Sequence, residues 1–266
     1  MRKLSACFLT ASLFLSLLFI CKANALDIGT NITIYDGRSS EDYGWHGKNE
    51  DNEVEPDCDD GQEWDLERFF LKNSELQVVG GFDFKNGHDG FEIGDIFLDL
   101  DGDHSAHGVS TSNEGYFDIL GSNMGYDYVI HLDINGNTYS VYDIQDESAL
   151  KLSSVYYSNT GNANSNPFRY IAGGNYVTMG NFSYLAGLSS SDVGNLLGDT
   201  HYAMTGFDLS FIAGQNFIAH LTLGCGNDNL MGKGTVPVPE PTTLILLGSG
   251  LIGIASLDIK RLLKKA

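Results

Sequence analysis

Residues 126–134 alternate so strictly that an extended chain with one buried face is the conformation that suits them. Tyr126, Tyr128, Ile130, Leu132 and Ile134 fall on one side, and Asp127, His131 and Asp133 on the other. That period of two belongs to a β-strand. Asn135-Gly136 follows, the dipeptide of a two-residue type I′ hairpin, and residues 137–143 return with Tyr139 and Val141 alternating. The same reading predicts strands at 28–35, 66–72, 76–84, 96–100, 116–120, 150–157, 169–172, 206–212 and 217–223, separated by Gly or by Asn/Asp/Ser clusters. Only residues 189–197 suggest a helix, which Gly194 keeps short. About ten short strands predict an all-β fold, a single jelly-roll-like β-sandwich; a barrel is the alternative, and the lack of a fixed repeat weakens a propeller. No Pro- or Ser-rich linker interrupts residues 26–236, so they are expected to be one domain.

The two ends read as addresses. Met1-Arg2-Lys3 precedes an apolar run to Ile20, and Ala23-Asn24-Ala25 supplies the small residues of a cleavage site, so residues 1–25 are predicted to be a signal peptide removed before Leu26. At the other end, Pro237, Pro239 and Pro241 break the chain. An apolar run from Thr242 to Leu257 follows, at the short end of what spans a bilayer as a helix. Lys260, Arg261, Lys264 and Lys265 then form a basic stop that orients this end toward the cytoplasm.

The order Pro239-Glu240-Pro241, glycine-studded apolar helix and basic cluster resembles the PEP-CTERM sorting signal of Gram-negative bacteria. Asp258, between helix and basic cluster, departs from that pattern. The resemblance assigns residues 237–266 to sorting. It implies signal peptidase and an exosortase, a membrane transpeptidase, as export partners. It also implies a transient inner-membrane anchor, and then a place at the cell surface or outside the cell, where exopolysaccharide is the partner expected by analogy. A wider resemblance rests on Trp64-Asp65-Leu66-Glu67, Val79-Gly80-Gly81-Phe82-Asp83-Phe84, Gly94-Asp95-Ile96-Phe97-Leu98-Asp99 and Gly224-Cys225-Gly226-Asn227-Asp228. It points to an ectodomain found in PEP-CTERM proteins without assigned activity, and it carries no mechanism.

Processing changes both the cysteine and the charge arithmetic. Cys7 and Cys21 leave with the signal peptide, so Cys58 and Cys225 remain. In an oxidising compartment they are expected to form one bridge, contributing about 4–5 kcal/mol in the chain-entropy model. Two separate buried thiols are the alternative. The wider resemblance supports the pairing.

The whole chain carries a net charge of −20. Residues 1–25 hold three cations, and residues 237–266 hold four cations and two acids, which leaves eight cations against thirty-three acids between them. Such a surface excludes a duplex nucleic-acid binder, which needs clustered Lys and Arg, and favours divalent cations.

Asp99, Asp101 and Asp103 alternate around Gly102, as carboxylates of oxygen-ligand calcium loops do, so they are candidate ligands for Ca2+ as a cofactor, and a solvated polar turn at a strand end is the alternative. The loop is no EF-hand, because His104 and Ser110 stand where Gly and Glu are required. His104 and His107 are a weaker transition-metal candidate. Asn227-Asp228-Asn229 can meet the acids around Cys58 if the bridge forms. Trp45, Trp64, Tyr156, Tyr157 and Tyr170 can stack on sugar rings or serve as ordinary sheet residues. No nucleophile elbow, zinc-protease helix, phosphate loop or dinucleotide fingerprint is present, so no catalytic residue is assigned and the chain is expected not to be an enzyme. The resulting expectation is a non-enzymatic structural or binding protein of the envelope or biofilm matrix. A calcium-dependent carbohydrate-binding module is the alternative, and a polysaccharide-active enzyme the third reading.

Overall fold

The computed structural model describes residues 26–34, 61–102, 118–155, 166–198, 200–226 and 228–238. Within them the fold is β throughout, apart from three single 3₁₀ turns at Gln62–Trp64, Glu147–Ala149 and Ser210–Ile212. The strands are β1 (Thr30–Asn31), β2 (Arg68–Lys72), β3 (Glu75–Gly80), β4 (Ile96–Asp99), β5 (Asp118–Leu120), β6 (Tyr128–Asp133) and β7 (Thr138–Asp143). They continue with β8 (Lys151–Val155), β9 (Asn166–Ala172), β10 (Asn175–Asn181), β11 (Ser183–Leu188), β12 (His201–Asp208), β13 (Asn216–Thr222) and β14 (Asn229–Thr235). They pair antiparallel in three sheets, ordered β1-β2-β3-β12-β11, β10-β7-β6-β4-β13-β14 and β5-β8-β9.

The five- and six-stranded sheets share the main core. Phe69, Leu76, Val78, Met204 and Phe207 of one sheet join Ile96, Leu98, Ile130, Val141, Ala219 and Leu221 of the other. Apolar residues next to these in sequence are buried too, which ordinary alternation would leave wet. Phe97 and Val129 point to the opposite face of the six-stranded sheet, where they pack with Leu120, Tyr126 and Leu152 in a second core beneath the three-stranded sheet. Phe70, Val79 and Ala203 point to the opposite face of the five-stranded sheet and meet Ile28, Val193 and Leu196. The doublets Phe69-Phe70 and Val78-Val79 are therefore the sequence mark of strands covered on both faces. Each such fully buried side chain contributes about 1.5–3 kcal/mol.

The predicted alternation of residues 126–134 holds for Tyr128, Ile130 and Leu132, but Tyr126 precedes the strand and enters the second core. The predicted two-residue hairpin is a four-residue loop, because Asp133 pairs with Thr138. The Asp133 carboxylate accepts the Gly136 N–H at 3.0 Å, and Asn137 takes the left-handed conformation at φ 52°. The predicted helix at 189–197 is a set of turns: Gly194 and Asn195 both have positive φ, and Asp192 caps the Ser189 N–H at 2.9 Å. The predicted strand at 206–212 is shifted, since β12 covers 201–208 and residues 210–212 are a 3₁₀ turn. Strands β10, β11 and β14 were not anticipated. The predicted signal peptide and sorting helix lie outside the described residues, among which no helix is long and apolar enough to cross a membrane.

Candidate functional site

The strongest ligand geometry lies at the end of β4. Asp99 is buried, and its Oδ1 accepts the N–H groups of Asp101 at 3.0 Å and Gly102 at 2.8 Å, closing a turn that needs φ 83° at Gly102. The chain returns beside it before β6, where Asp127 Oδ2 accepts the Leu100 N–H at 2.7 Å. The carboxylates of Asp99, Asp101 and Asp127 consequently converge, with a ligand oxygen of each within 4.8 Å of the others. Burial, and then the charge of Asp99, pushes the Tyr126 hydroxyl upward. Three converging carboxylates suit a hard divalent cation bound through oxygen. Of the predicted ligands, Asp99 and Asp101 are here, while Asp103 lies outside the described residues. Asp127 was not predicted: it is 26 residues from Asp101 and is delivered by strand pairing.

A second polar centre ties three segments together. Asp95 is buried at the start of β4, where its Oδ1 accepts the Leu132 N–H at 2.9 Å. Its Oδ2 accepts the Tyr170 N–H at 2.8 Å and faces His131 Nδ1 at 2.8 Å. The hydrogen bond to Asp95 raises the pKa of His131, with burial opposing it. Next to this knot, Arg169 donates to the Ile93 carbonyl at 2.8 Å, pairs with Glu92 at 2.8 Å and lies over the Phe168 ring. These residues border a cleft of about 470 Å³ walled by Phe91, Phe168, Tyr170 and Ile171, with Ser153 and Glu92 as polar groups. Its size and mixed lining suit a small ligand or one unit of a polymer. Tyr170, one of the aromatics open to sugar stacking or to an ordinary sheet role, borders this cleft, and one of its ring faces is already stacked on Tyr142 at 4.3 Å.

The third cluster is interior. Glu67 and His201 are wholly buried and meet at 2.8 Å through His201 Nδ1. Gln62 Nε2 donates to Glu67 at 3.0 Å and to the Thr200 carbonyl at 3.3 Å. Ser190 Oγ lies 3.3 Å from His201 Nε2 and donates to the Gly198 carbonyl at 2.8 Å. The order Ser190, His201, Glu67 is that of a hydrolytic triad. Its imidazole is sealed from solvent, however, and the serine proton is committed to a carbonyl, so this arrangement clamps the 189–198 turns onto β2 and β12. Beside it, the Asp228 carboxylate accepts the Leu66 N–H. Burial, reinforced by the charge of Glu67, pushes that carboxyl well above the usual range. Asn227 and the acids around Cys58 that the 227–229 segment was expected to meet lie outside the described residues. Cys225 is buried, while its predicted partner Cys58 lies outside the described residues, as do His104, His107, Trp45, Tyr156 and Tyr157. Trp64 is half-buried, with its ring edge-on to His88 at 4.6 Å.

Val236, Pro237 and Val238 lead the chain out of the domain after β14, with Val238 exposed. From Pro237 onward the chain matches a family model described as the PEP-CTERM protein-sorting motif. Residues 237–261 are a PEP-CTERM sorting motif. The matched span contains Pro239, Glu240 and Pro241, the apolar run from Thr242 to Leu257, and Lys260 and Arg261; Lys264 and Lys265 follow it. A PEP-CTERM motif indicates an exported protein sorted by an exosortase, with transient membrane anchoring. No curated protein matches the chain, and no solved structure matches it.

Proposed function

We propose that the chain is a non-enzymatic surface or matrix protein, whose signal peptide and PEP-CTERM tail deliver residues 26–236 to the outside of the cell. The exported part is a jelly-roll-like sandwich with an added three-stranded layer, and its role is structural or binding within the envelope or an exopolysaccharide matrix. The observation that carries this reading is the sorting motif at residues 237–261 following directly on a β-domain. The strong negative charge fits an extracellular place, where it keeps the domain soluble. Mass spectrometry of the protein recovered from its own cells is expected to find a chain beginning at Leu26 and cut near Pro239-Glu240-Pro241. Replacing those three residues by alanine is expected to leave the tail attached and the protein in the inner membrane. Unchanged export and cutting of that variant refutes the sorting role.

The convergence of Asp127 on Asp99 and Asp101 favours a second reading, a calcium-dependent carbohydrate-binding module. The Tyr170 and Arg169 cleft is the surface such a module offers to a sugar. Calorimetric titration is expected to show calcium binding with a Kd of about 10⁻⁴–10⁻³ M, the range of extracellular modules. Asp127→Asn is expected to weaken it at least tenfold. Absence of heat at millimolar calcium removes the metal, and glycan binding unaffected by EDTA separates the sugar site from it.

A further inference from the structure

Between Glu147 and Asp192 lie forty-four residues without one acid, in a chain that averages an acid in about every eight; Lys151 and Arg169 are their only charges. The fold spends this run on β8 to β11. Two of these strands are sheet edges on the same side of the sandwich: β10 closes the six-stranded sheet, β11 closes the five-stranded one, and only Phe182 separates them. Four of the seven large apolar side chains exposed among the described residues fall here, namely Ile171, Tyr176, Val177 and Met179. Met179 is 63% exposed and Tyr176 59%.

We propose that β10 is a self-association edge, on which a second copy of this chain adds its own β10 antiparallel about a two-fold axis. An edge strand presents a row of main-chain N–H and C=O groups that another strand satisfies, and such edges are commonly guarded by charge. Residues 175–181 carry none. Their guard is a bulge at Val177, where the register with β7 shifts between Tyr176 and Thr178. Beyond the bulge, Thr178 to Asn181 pair regularly with β7, leaving four residues for a second ladder on the open side. Met179 pairs with Ser140 and so stands on the sheet face away from the main core.

Charge selects the occupant. Two copies of this acidic chain repel wherever acids meet, and at this uncharged edge they approach with only the longer-range part of that cost, which salt screens. A basic partner would gain nothing from an uncharged strand and would be drawn to the acidic faces. An exposed Met, Val and Ile suit protein packing better than sugar stacking. Antiparallel pairing about a two-fold makes the strand complementary to itself.

Sedimentation velocity on the protein recovered from its cells, from about 1 to 200 µM, is the test, a range that brackets a micromolar dissociation constant. The expected result is a monomer–dimer equilibrium that strengthens from low to high salt, as screening relieves repulsion between like-charged copies. Met179→Lys is expected to weaken it at least tenfold, and Ile119→Lys, the same charge change on β5, to leave it intact. Hydrogen exchange at Thr178 to Asn181 is expected to slow as concentration rises, a readout that needs no variant. A monomer at every concentration and salt overturns the proposal. So does a dimer indifferent to Met179→Lys, or one without concentration-dependent protection in β10, which would place the contact, or a foreign partner strand, elsewhere.

Discussion

Removing the Asp95 carboxylate is the most informative single perturbation of this fold. Asp95 lies at 1% exposure and holds three donors from two other strands: the Leu132 N–H, the Tyr170 N–H and His131 Nδ1. It therefore joins the six-stranded sheet, through β6, to the three-stranded sheet, through β9. Hydrogen bonds to a charged group contribute about 1.5–3 kcal/mol each, and stranding two buried main-chain donors adds desolvation that the lost bonds no longer offset. Because the three share one acceptor, their effects are not additive, and Asp95→Ala is expected to cost about 3–5 kcal/mol, as for breaking a buried charged pair. That is a large share of the 5–15 kcal/mol typical of a domain.

The pH dependence gives a second signature. Asp95 raises the His131 pKa above its ordinary 6.5, so the protonated imidazole is favoured in the folded state. The associated stability is complete below pH 6.5 and is lost as pH rises through the folded value. Urea unfolding at pH 5.5 and 8.5 should show the wild type more stable at the lower pH by an increment that Asp95→Ala and His131→Gln both lack. A cost below about 1 kcal/mol for Asp95→Ala refutes the tie. An unchanged pH increment in either variant refutes the His131 assignment.

Three other outcomes follow from the interior. His201→Ala removes the imidazole partner of Glu67 in a dry site, and urea unfolding is expected to show a loss of about 3–5 kcal/mol with unchanged denaturant slope. Gly232→Ala would bring a methyl to 2.9 Å of Phe69 Cβ, where β14 crosses β2, and thermal unfolding should register about 1–3 kcal/mol of overpacking. Phe97→Ala is expected to cost about 3–5 kcal/mol by the same measurement, through a cavity in the second core, because its ring packs on Tyr126 at 5.6 Å.

The strands anticipated from the sequence were those whose side chains advertise their faces, such as β6 and β7, or whose apolar doublets advertise burial on both sides, such as β2 and β3. Those missed carry weak local signals. β14 reads Asn-Leu-Met-Gly-Lys-Gly-Thr, and two glycines that allow close approach to Phe69 and Phe217 also erase its pattern. β10 is an exposed edge, and β11 packs the adjacent Tyr184 and Leu185 on opposite cores, so neither strand shows a clean alternation. The loop after β6 differs from the two-residue Asn-Gly hairpin because Asp133, outside the Asn-Gly pair, sets the turn by accepting the Gly136 N–H.

The sorting motif at the C-terminal end and the β character before it follow from contiguous residues, because proline breaks, apolar runs and period-two alternation act locally along the chain. Asp99 and Asp101 were legible for the same reason: a turn gathers residues two apart. Asp127 beside them, Asp95 holding β6 and β9, and Glu67 meeting His201 across 134 positions depended on strand pairing. A carboxylate written alone in a strand looks the same whether its neighbour is water, a main-chain N–H or another acid. Only folding, which buries the apolar faces first and carries the polar groups with them, decides which of these it meets.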